Sequence, residues 1–287
     1  MARNGISDKW RATLQKISRN VYAETKFEGS NNSFVVTRDG LVMIDTPQVP
    51  TNAVKWREII AKHGQVRYII NNEPHGDHIT GNYFFKGTVI AHEGTRQSIL
   101  KMSPEEIKER YKQSSPADYA LLKDFYYRLP TITLIGDITV YLGDHTFKIM
   151  HLPGHTAYQL AVYVPEEKVI FTADNITYKV PVYLQHAEPF AWIESLKKLA
   201  QLDAEVIVPG HGEICTPAYI PEMIARVQEW IDAVEVFVKK GMTLEETEKN
   251  FTFRDRYPMQ PGRDDRAPML RKANITRLYE VLKNRKK

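Results

Sequence analysis

The chain has 287 residues, enough to bury a substantial core as one large domain or a domain with an appendage. A net charge of +4 is too modest to imply nucleic-acid binding by itself, and a single cysteine excludes an intramolecular disulfide framework. No run approaches the roughly 20 apolar residues of a membrane span, and the first ten residues hold no apolar signal-peptide core, so a cytoplasmic protein is expected.

In chain order, residues 17–22, 33–37 and 41–45 read as a strand meander punctuated by Gly29 and by Asp39-Gly40. Residues 52–62 predict a helix. Val66-Arg67-Tyr68-Ile69-Ile70 is apolar and β-branched enough for a buried strand. Just beyond it stands Glu73-x-His75-x-Asp77-His78, four side chains able to hold a divalent cation within six residues. Ligands placed past a strand end project from a rigid base into a loop, where binding groups are concentrated. A catalytic zinc needs nitrogen and oxygen ligands plus one position left open for water.

Residues 89–92 form a short expected strand whose His92 partners a nearby backbone group. Ser103-Pro104-Glu105-Glu106 is a capping box with proline at the first helical position. The helix it opens leads to a second, over 117–129, carrying Tyr126 and Tyr127. This insertion, about 101–130, is expected either to cover the site as a lid, with both tyrosines against substrate, or to pack on the sheet.

Residues 131–134, 138–142, 146–150, 159–164 and 168–172 predict a second run of strands. His155 follows one of them in Leu152-Pro153-Gly154-His155-Thr156, Asp174 ends Val169-Ile170-Phe171-Thr172-Ala173, and His211 follows Val206-Ile207-Val208-Pro209-Gly210. Each is a ligand-type side chain directly after a β-rich segment, so several strands of one sheet deliver them to one edge. His145 and His151 are expected to be solvated or hydrogen-bonded, and Cys215 to be buried filler. The 176–190 loop leaves the same edge and offers Tyr178, Lys179 and His186 for substrate contacts. Residues 190–202 and 221–240 read as amphipathic helices. A second capping box, Thr243-Leu244-Glu245-Glu246, opens a C-terminal helical extension, 241–287, with an arm at 254–268 and a helix over 269–283. It is expected to pack on the catalytic domain, 1–240, or on a partner chain in a homo-oligomer.

Taken together these motifs resemble the metallo-β-lactamase superfamily of metallohydrolases over most of residues 17–215. The resemblance rests on the Leu41-Val42-Met43-Ile44-Asp45-Thr46 strand, the Glu73 to His78 cluster, Gly154-His155-Thr156, the strand ending at Asp174 and Pro209-Gly210-His211-Gly212. It implies an α/β protein, a four-layer αβ/βα sandwich with metals at one edge of two packed sheets. Carried over position by position, the first metal takes Glu73, His75 and His155, the second takes Asp77, His78 and His211, and Asp174 bridges them.

One departure matters. The usual motif is His-x-His-x-Asp-His, and Glu73 stands where the first His belongs. The resemblance implies one or two Zn2+ per chain; the extra carboxylate weakens the first metal as a Lewis acid and brings Mn2+ or Fe2+ into range. In two-metal sites, roughly 3.5–4 Å apart, a bound water loses a proton near neutral pH and becomes the nucleophile. Asp77 is expected to orient that water as well as ligate. The implied activity is hydrolysis of a small-molecule ester, thioester, lactone or amide, β-lactams included, with no nucleic-acid or membrane partner. The bridging Asp174 is similar to thioesterases, lactonases and esterases more than to strict β-lactamases. Two alternatives stay open: an iron-dependent redox enzyme of the same superfamily, and a non-catalytic or nucleic-acid-processing member. Flavin-linked di-iron members carry their Glu at the middle ligand position, where this chain has His75. Neither the 101–130 insertion nor the 176–190 loop holds a recognisable specificity motif. Arg263, Arg266, Arg271 and Lys272 are the basic residues that a glutathione thioesterase would use.

Overall fold

The computed structural model describes residues 14–259 and 263–285. The amino-terminal ten residues read for a signal peptide, the centre of the 254–268 arm and the last two residues lie outside this range. One sheet holds β1 (Gln15–Lys16), β2 (Val21–Glu24), β3 (Asn32–Thr37), β4 (Gly40–Ile44), β5 (Val66–Asn71), β6 (Thr88–His92) and β7 (Ile132–Leu134), in sequence order. β1 to β4 are antiparallel neighbours, and β4 to β7 run parallel. The second sheet has the order β12-β11-β10-β9-β8, from β8 (Ile138–Leu142), β9 (His145–His151), β10 (Leu160–Val164), β11 (Val169–Thr177) and β12 (Val206–His211). Only its β11–β12 pair is parallel.

Side-chain alternation along the strands generates the layers. Val42 and Ile44 of β4 join Val35, Ile70 and Ile90 in a core shared with Phe147, Ile149, Val162, Val169, Phe171 and Val208 of the other sheet. Leu41 and Met43 point the other way, toward Trp56 and Ile60 of α1 (Pro50–Ile60). On the far side Ala161, Ile170 and Ile207 meet Trp192, Leu196, Met223, Val227 and Trp230. The strands are therefore apolar on both faces, and the result is the expected four-layer αβ/βα sandwich. Short helices α2 (Gly76–Ile79) and α3 (Glu93–Ile99) follow β5 and β6. The second helical layer is α6 (Pro189–Leu199) and α7 (Ile220–Lys239), and the fold ends in α8 (Leu244–Asn250) and α9 (Ala267–Arg285).

Two local expectations fail. The strand predicted at 17–22 starts only at Val21, because Ser18 and Asn20 turn aside to hydrogen-bond the Glu167 carboxylate at 2.6 and 2.8 Å. In the insertion, α4 (Pro104–Ser114) forms with Ser103 capping the Glu105 amide, but the second helix, α5, stops at Pro116–Ala120. Leu122 and Phe125 then sink into the outer core, and the Arg128 guanidinium binds the Phe85 and Gly87 carbonyls. Burying those two side chains outweighs continuing an exposed helix.

The Thr243 capping box forms in full. Beyond it, residues 251–259 cross the body. Asp255 accepts from the Val182 amide at 3.0 Å, from Trp230 Nε1 at 2.9 Å and from the buried Arg226 at 3.1 Å. Helix α9 seats Ile275, Leu278 and Leu282 in the same core as α7. Its buried Asn274 accepts from the Leu184 amide and donates to the Val182 carbonyl, both at 2.7 Å, so the extension grips the 176–190 loop. No helix among the described residues is long and apolar enough to cross a membrane.

Asp255→Ala leaves the Arg226 guanidinium buried without its counter-charge. It is expected to cost about 3–5 kcal/mol in denaturant unfolding, and a loss below about 1 kcal/mol would show that the arm is not anchored there.

Candidate metal centre

Four chain segments carry the candidate ligands to the junction of the two sheets, the fourth being the turn that holds His155. The first leaves β5 through Asn72 and Glu73 into α2, whose N-cap is His75. The His78 carbonyl that closes this turn accepts from the Thr46 amide and from Asn71 Nδ2. The second is β11. It is irregular around Ala173, which has a positive φ of 40°, and there it presents Asp174. Bulges of this kind re-aim a side chain beside a site. The third is the end of β12 at His211. Asn31 ties this segment to the first sheet, donating from Nδ2 to the Pro209 and Gly212 carbonyls at 2.9 Å. Gly210 is required by close approach: a Cβ there would run into Asp174 Oδ1 and the Ala173 backbone.

His155 is held by Asn175, whose Oδ1 accepts from the His155 amide at 3.0 Å and whose Nδ2 donates to the Leu152 carbonyl. The His155 Nδ1 lies 2.8 Å from the Tyr183 carbonyl, which turns Nε2 inward.

The seven predicted ligands come together. Glu73 Oε2 lies 2.6 Å from His75 Nδ1 and 3.7 Å from His155 Nε2. His78 Nε2 lies 3.1 Å from Glu73 Oε1 and 3.4 Å from Asp174 Oδ1. His211 Nε2 is 3.2 Å from Asp77 Oδ2 and 3.3 Å from Asp174 Oδ2, which is itself 3.6 Å from His155 Nε2. Two triads capable of holding an ion result, Glu73/His75/His155 and Asp77/His78/His211. A third grouping, Glu73/His78/Asp174, joins them.

The donor set fits a divalent ion. Both Glu73 oxygens, His78 Nε2 and Asp174 Oδ1 are buried and lie 2.6–3.4 Å from one another or from His75 without well-aligned hydrogen bonds, a costly arrangement that a bound cation would relieve. Electrostatics agree. Burial opposes charge on His78, yet the Glu73, Asp45 and Asp77 carboxylates raise its pKa well above the ordinary imidazole value. Burial likewise opposes charge on His211, but Asp174 and Asp77 lift its pKa to about 10. At His155 burial wins and the pKa falls. The cluster thus favours positive charge, supplied by a bound cation or by protons on its imidazoles. Metal binding must displace those protons, so affinity rises with pH.

Sequence reasoning missed Asp45. It sits at the end of β4 with a positive φ of 57°, and its Oδ2 lies 3.0 Å from His78 Nδ1 while its Oδ1 accepts from the Asn72 amide. A lone acid ending the apolar run Leu41-Val42-Met43-Ile44 was the available signal. His186 also acts on a ligand: its Nδ1 lies 2.9 Å from His75 Nε2.

The cluster opens into a cleft of about 370 Å³ whose lining includes His75, Asp77, His155, Asp174, His211, Tyr183, Gln48 and Met259. The candidate substrate residues are not in that lining. Tyr126 packs edge-on against Tyr83, and Tyr127 packs against Phe125 in the outer layer, because the truncated α5 directs this segment along the sheet. Tyr178 packs on Tyr219, and Lys179, with φ of 55°, lies over the Tyr178 ring. The other histidines have structural partners. His92 caps α3 by accepting from the Gly94 amide, His145 is buried against Glu167, and His151 donates to the Ala157 carbonyl. Burial pushes the Cys215 thiol up to about 12, as suits core filler.

Losing the group that orients a ligating imidazole typically lowers metal affinity by about 10–100-fold. Asp45→Ala is expected to do so in competitive metal titrations. Wild-type affinity should rise from pH 6 to pH 8. Unchanged affinity in the variant would remove Asp45 from the centre.

With this geometry established, comparison with known proteins is direct. The profile described as the Metallo-beta-lactamase superfamily matches residues 26–211. The Beta-lactamase-like protein 2 homolog of Caenorhabditis elegans is 23% identical over 208 residues, 71% of this chain and 61% of that relative. A Hydroxyacylglutathione hydrolase of Mesorhizobium japonicum is 38% identical over 73 residues, 25% of this chain and 29% of its own length. Among solved structures, the sec-alkylsulfatase Pisa1 from Pseudomonas sp. superposes with a TM-score of 0.69 at 16% identity, over 94% of this chain and 50% of that one, a likeness of fold. The match over residues 26–211 takes in most of both sheets and every candidate ligand, and the chain belongs to the metallo-beta-lactamase superfamily.

Proposed function

We propose that this chain is a metal-dependent hydrolase of an ester, thioester, lactone or amide, in which a bound ion would acidify the water that is to attack the carbonyl. The observation that carries this reading is the convergence of buried ligand atoms on Glu73, His78 and Asp174, packed together without well-aligned hydrogen bonds beside an open cleft. A relative named as a hydrolase supports the reaction type. In this reading Glu73, His75 and His155 would hold one ion and Asp77, His78 and His211 a second, with the Asp174 carboxylate within reach of His78, His155 and His211. Zinc is the first expectation, with manganese or iron favoured by the added carboxylate. Bound ions would supply acidification of water and stabilisation of the charge that develops on the substrate oxygen.

The chain's own groups do the rest. Asp77 is the carboxylate suited to the attacking water, since it lines the cleft while Glu73 is fully buried. Its Oδ2 contact with His211 holds one oxygen in place and leaves the other free to orient a water by accepting its hydrogen bond. His75 and His155 line the same cleft, held by His186 and the Tyr183 carbonyl respectively. The cleft takes a small molecule, and its walls are set by the arm and the 176–190 loop.

Chelation is expected to abolish hydrolysis across a panel of esters, thioesters, lactones and β-lactams, with activity restored by zinc, manganese or iron. His78→Ala and His211→Ala should each lower turnover by orders of magnitude with the circular dichroism spectrum preserved. Full activity in the metal-free protein would overturn the mechanism.

Glu73→His should raise zinc content toward two per chain, read by mass spectrometry on matched preparations. Unchanged content together with unchanged metal preference would exclude Glu73 as a ligand.

A further inference from the structure

Beside the metal cleft lies another cavity, of about 530 Å³, lined by the arm, the start of α9 and Trp230 of α7. Pro181 and Met259 line this cavity and the metal cleft alike, so the two spaces share a wall. Met259 is buried yet joins none of the three apolar cores. Its Sδ lies 4.0 Å from the hydroxyl of Tyr183, which lines the metal cleft. Leu270, half-buried in the cavity wall, joins none of the cores either. Apolar side chains left out of the core and set around a cavity are available to a ligand.

The chemistry of the walls decides what fits. Trp230, Phe253, Pro268 and Leu270 present mainly hydrocarbon. The polar groups among them are mostly consumed within the protein. Asp255 accepts from the Val182 amide, from Trp230 Nε1 and from Arg226. The Tyr257 hydroxyl donates to Glu222 at 2.5 Å, and the Arg256 guanidinium pairs with Glu229. Arg254 and Asp264, also in the lining, are exposed to solvent. A polar ligand would lose hydration there for few new hydrogen bonds, whereas a hydrocarbon chain gains by leaving water. Methionine suits the shared wall, because its unbranched side chain re-packs around differing shapes.

We propose that this cavity is an acyl chamber: a substrate with its carbonyl at the metal cluster passes an unbranched hydrocarbon chain along Met259 to lie beside Trp230 and Leu270. That the chain belongs to a substrate rests on the hydrolase reading above; that the chamber binds a hydrocarbon chain does not. The chamber makes acyl length the basis of selection, with medium-length chains preferred over short ones. Each methylene moved out of water then adds to binding, until the chain reaches the end of the space.

The test uses the metal-loaded full-length protein and calorimetric titration with straight-chain carboxylates from butyrate to decanoate. Affinity is expected to rise about fourfold for each added methylene that enters the chamber, the factor that hydrocarbon transfer gives. The ratio of decanoate to butyrate affinity should fall toward one in Ala267→Phe, which fills the chamber, and in Leu270→Asn, which makes its wall polar. Ile135→Gln, at an exposed position outside both cavities, serves as the control and should keep the ratio. ω-Bromodecanoate should quench tryptophan fluorescence, and Trp230→Phe should remove that quenching with the circular dichroism spectrum preserved. Equal affinities along the series, a ratio that survives in both chamber variants, or quenching that survives in Trp230→Phe would overturn the chamber. Nitrophenyl butyrate and nitrophenyl decanoate separate the two readings. Length-dependent binding without hydrolysis of either ester keeps the chamber and fails the hydrolase. Hydrolysis of both esters at one kcat/KM, with equal carboxylate affinities, fails the chamber and keeps the hydrolase.

Discussion

Three carboxylates, Glu73, Asp77 and Asp174, meet at the seam between two sheets, with the Glu73 and Asp174 carboxylates almost wholly out of water. Charges so placed repel one another and are tolerated only against compensating positive charge. Four imidazoles from three segments provide the surroundings, and buried carboxylate oxygens without well-aligned hydrogen bonds mark where an ion would complete them. Much of the polar interior serves this constraint. Asp45 orients His78, the Tyr183 carbonyl orients His155, and His186 backs His75.

Bringing the segments together requires the sheets to be fixed to each other, because neither sheet carries the cluster alone. Val35, Val42 and Ile70 packed against Phe147, Val162 and Phe171 supply the adhesion. Directional bonds near the edge supply the register. The Leu160 amide donates to the Asn72 carbonyl, and Asn31 reaches across to the carbonyls flanking His211. Apolar packing tolerates small slips; these buried amides do not, since a displaced one would be left without a partner.

The C-terminal extension takes part in the site at one remove. Asn274 of α9 holds the backbone at Val182 and Leu184, Asp255 holds Val182 from the arm, and the intervening Tyr183 carbonyl faces His155. The extension therefore bears on a candidate ligand while also placing Arg263 and Arg266 at the cleft.

The sandwich was legible in the chain because alternating apolar residues and turn glycines are local signals, and strand ends carrying Glu73, His75, Asp77, His78, His155, Asp174 and His211 are a pattern of position. All but Asp174, which the irregularity at Ala173 presents from within β11, sit at or just beyond a strand end, so the sequence pointed to the side chains that meet. It left undetermined what surrounds them. Asp45 looked like any acid closing a strand until the fold set it against His78, more than thirty residues on. Whether Tyr126 and Tyr127 belong to a lid or to packing stayed open because helical periodicity carries no information on where Leu122 and Phe125 find a core to enter. Arg110 and Arg263 are separated by most of the chain, and only tertiary packing puts them at one cleft. Local pattern specifies elements and their ends; long-range burial and the pairing of charge decide what those ends face.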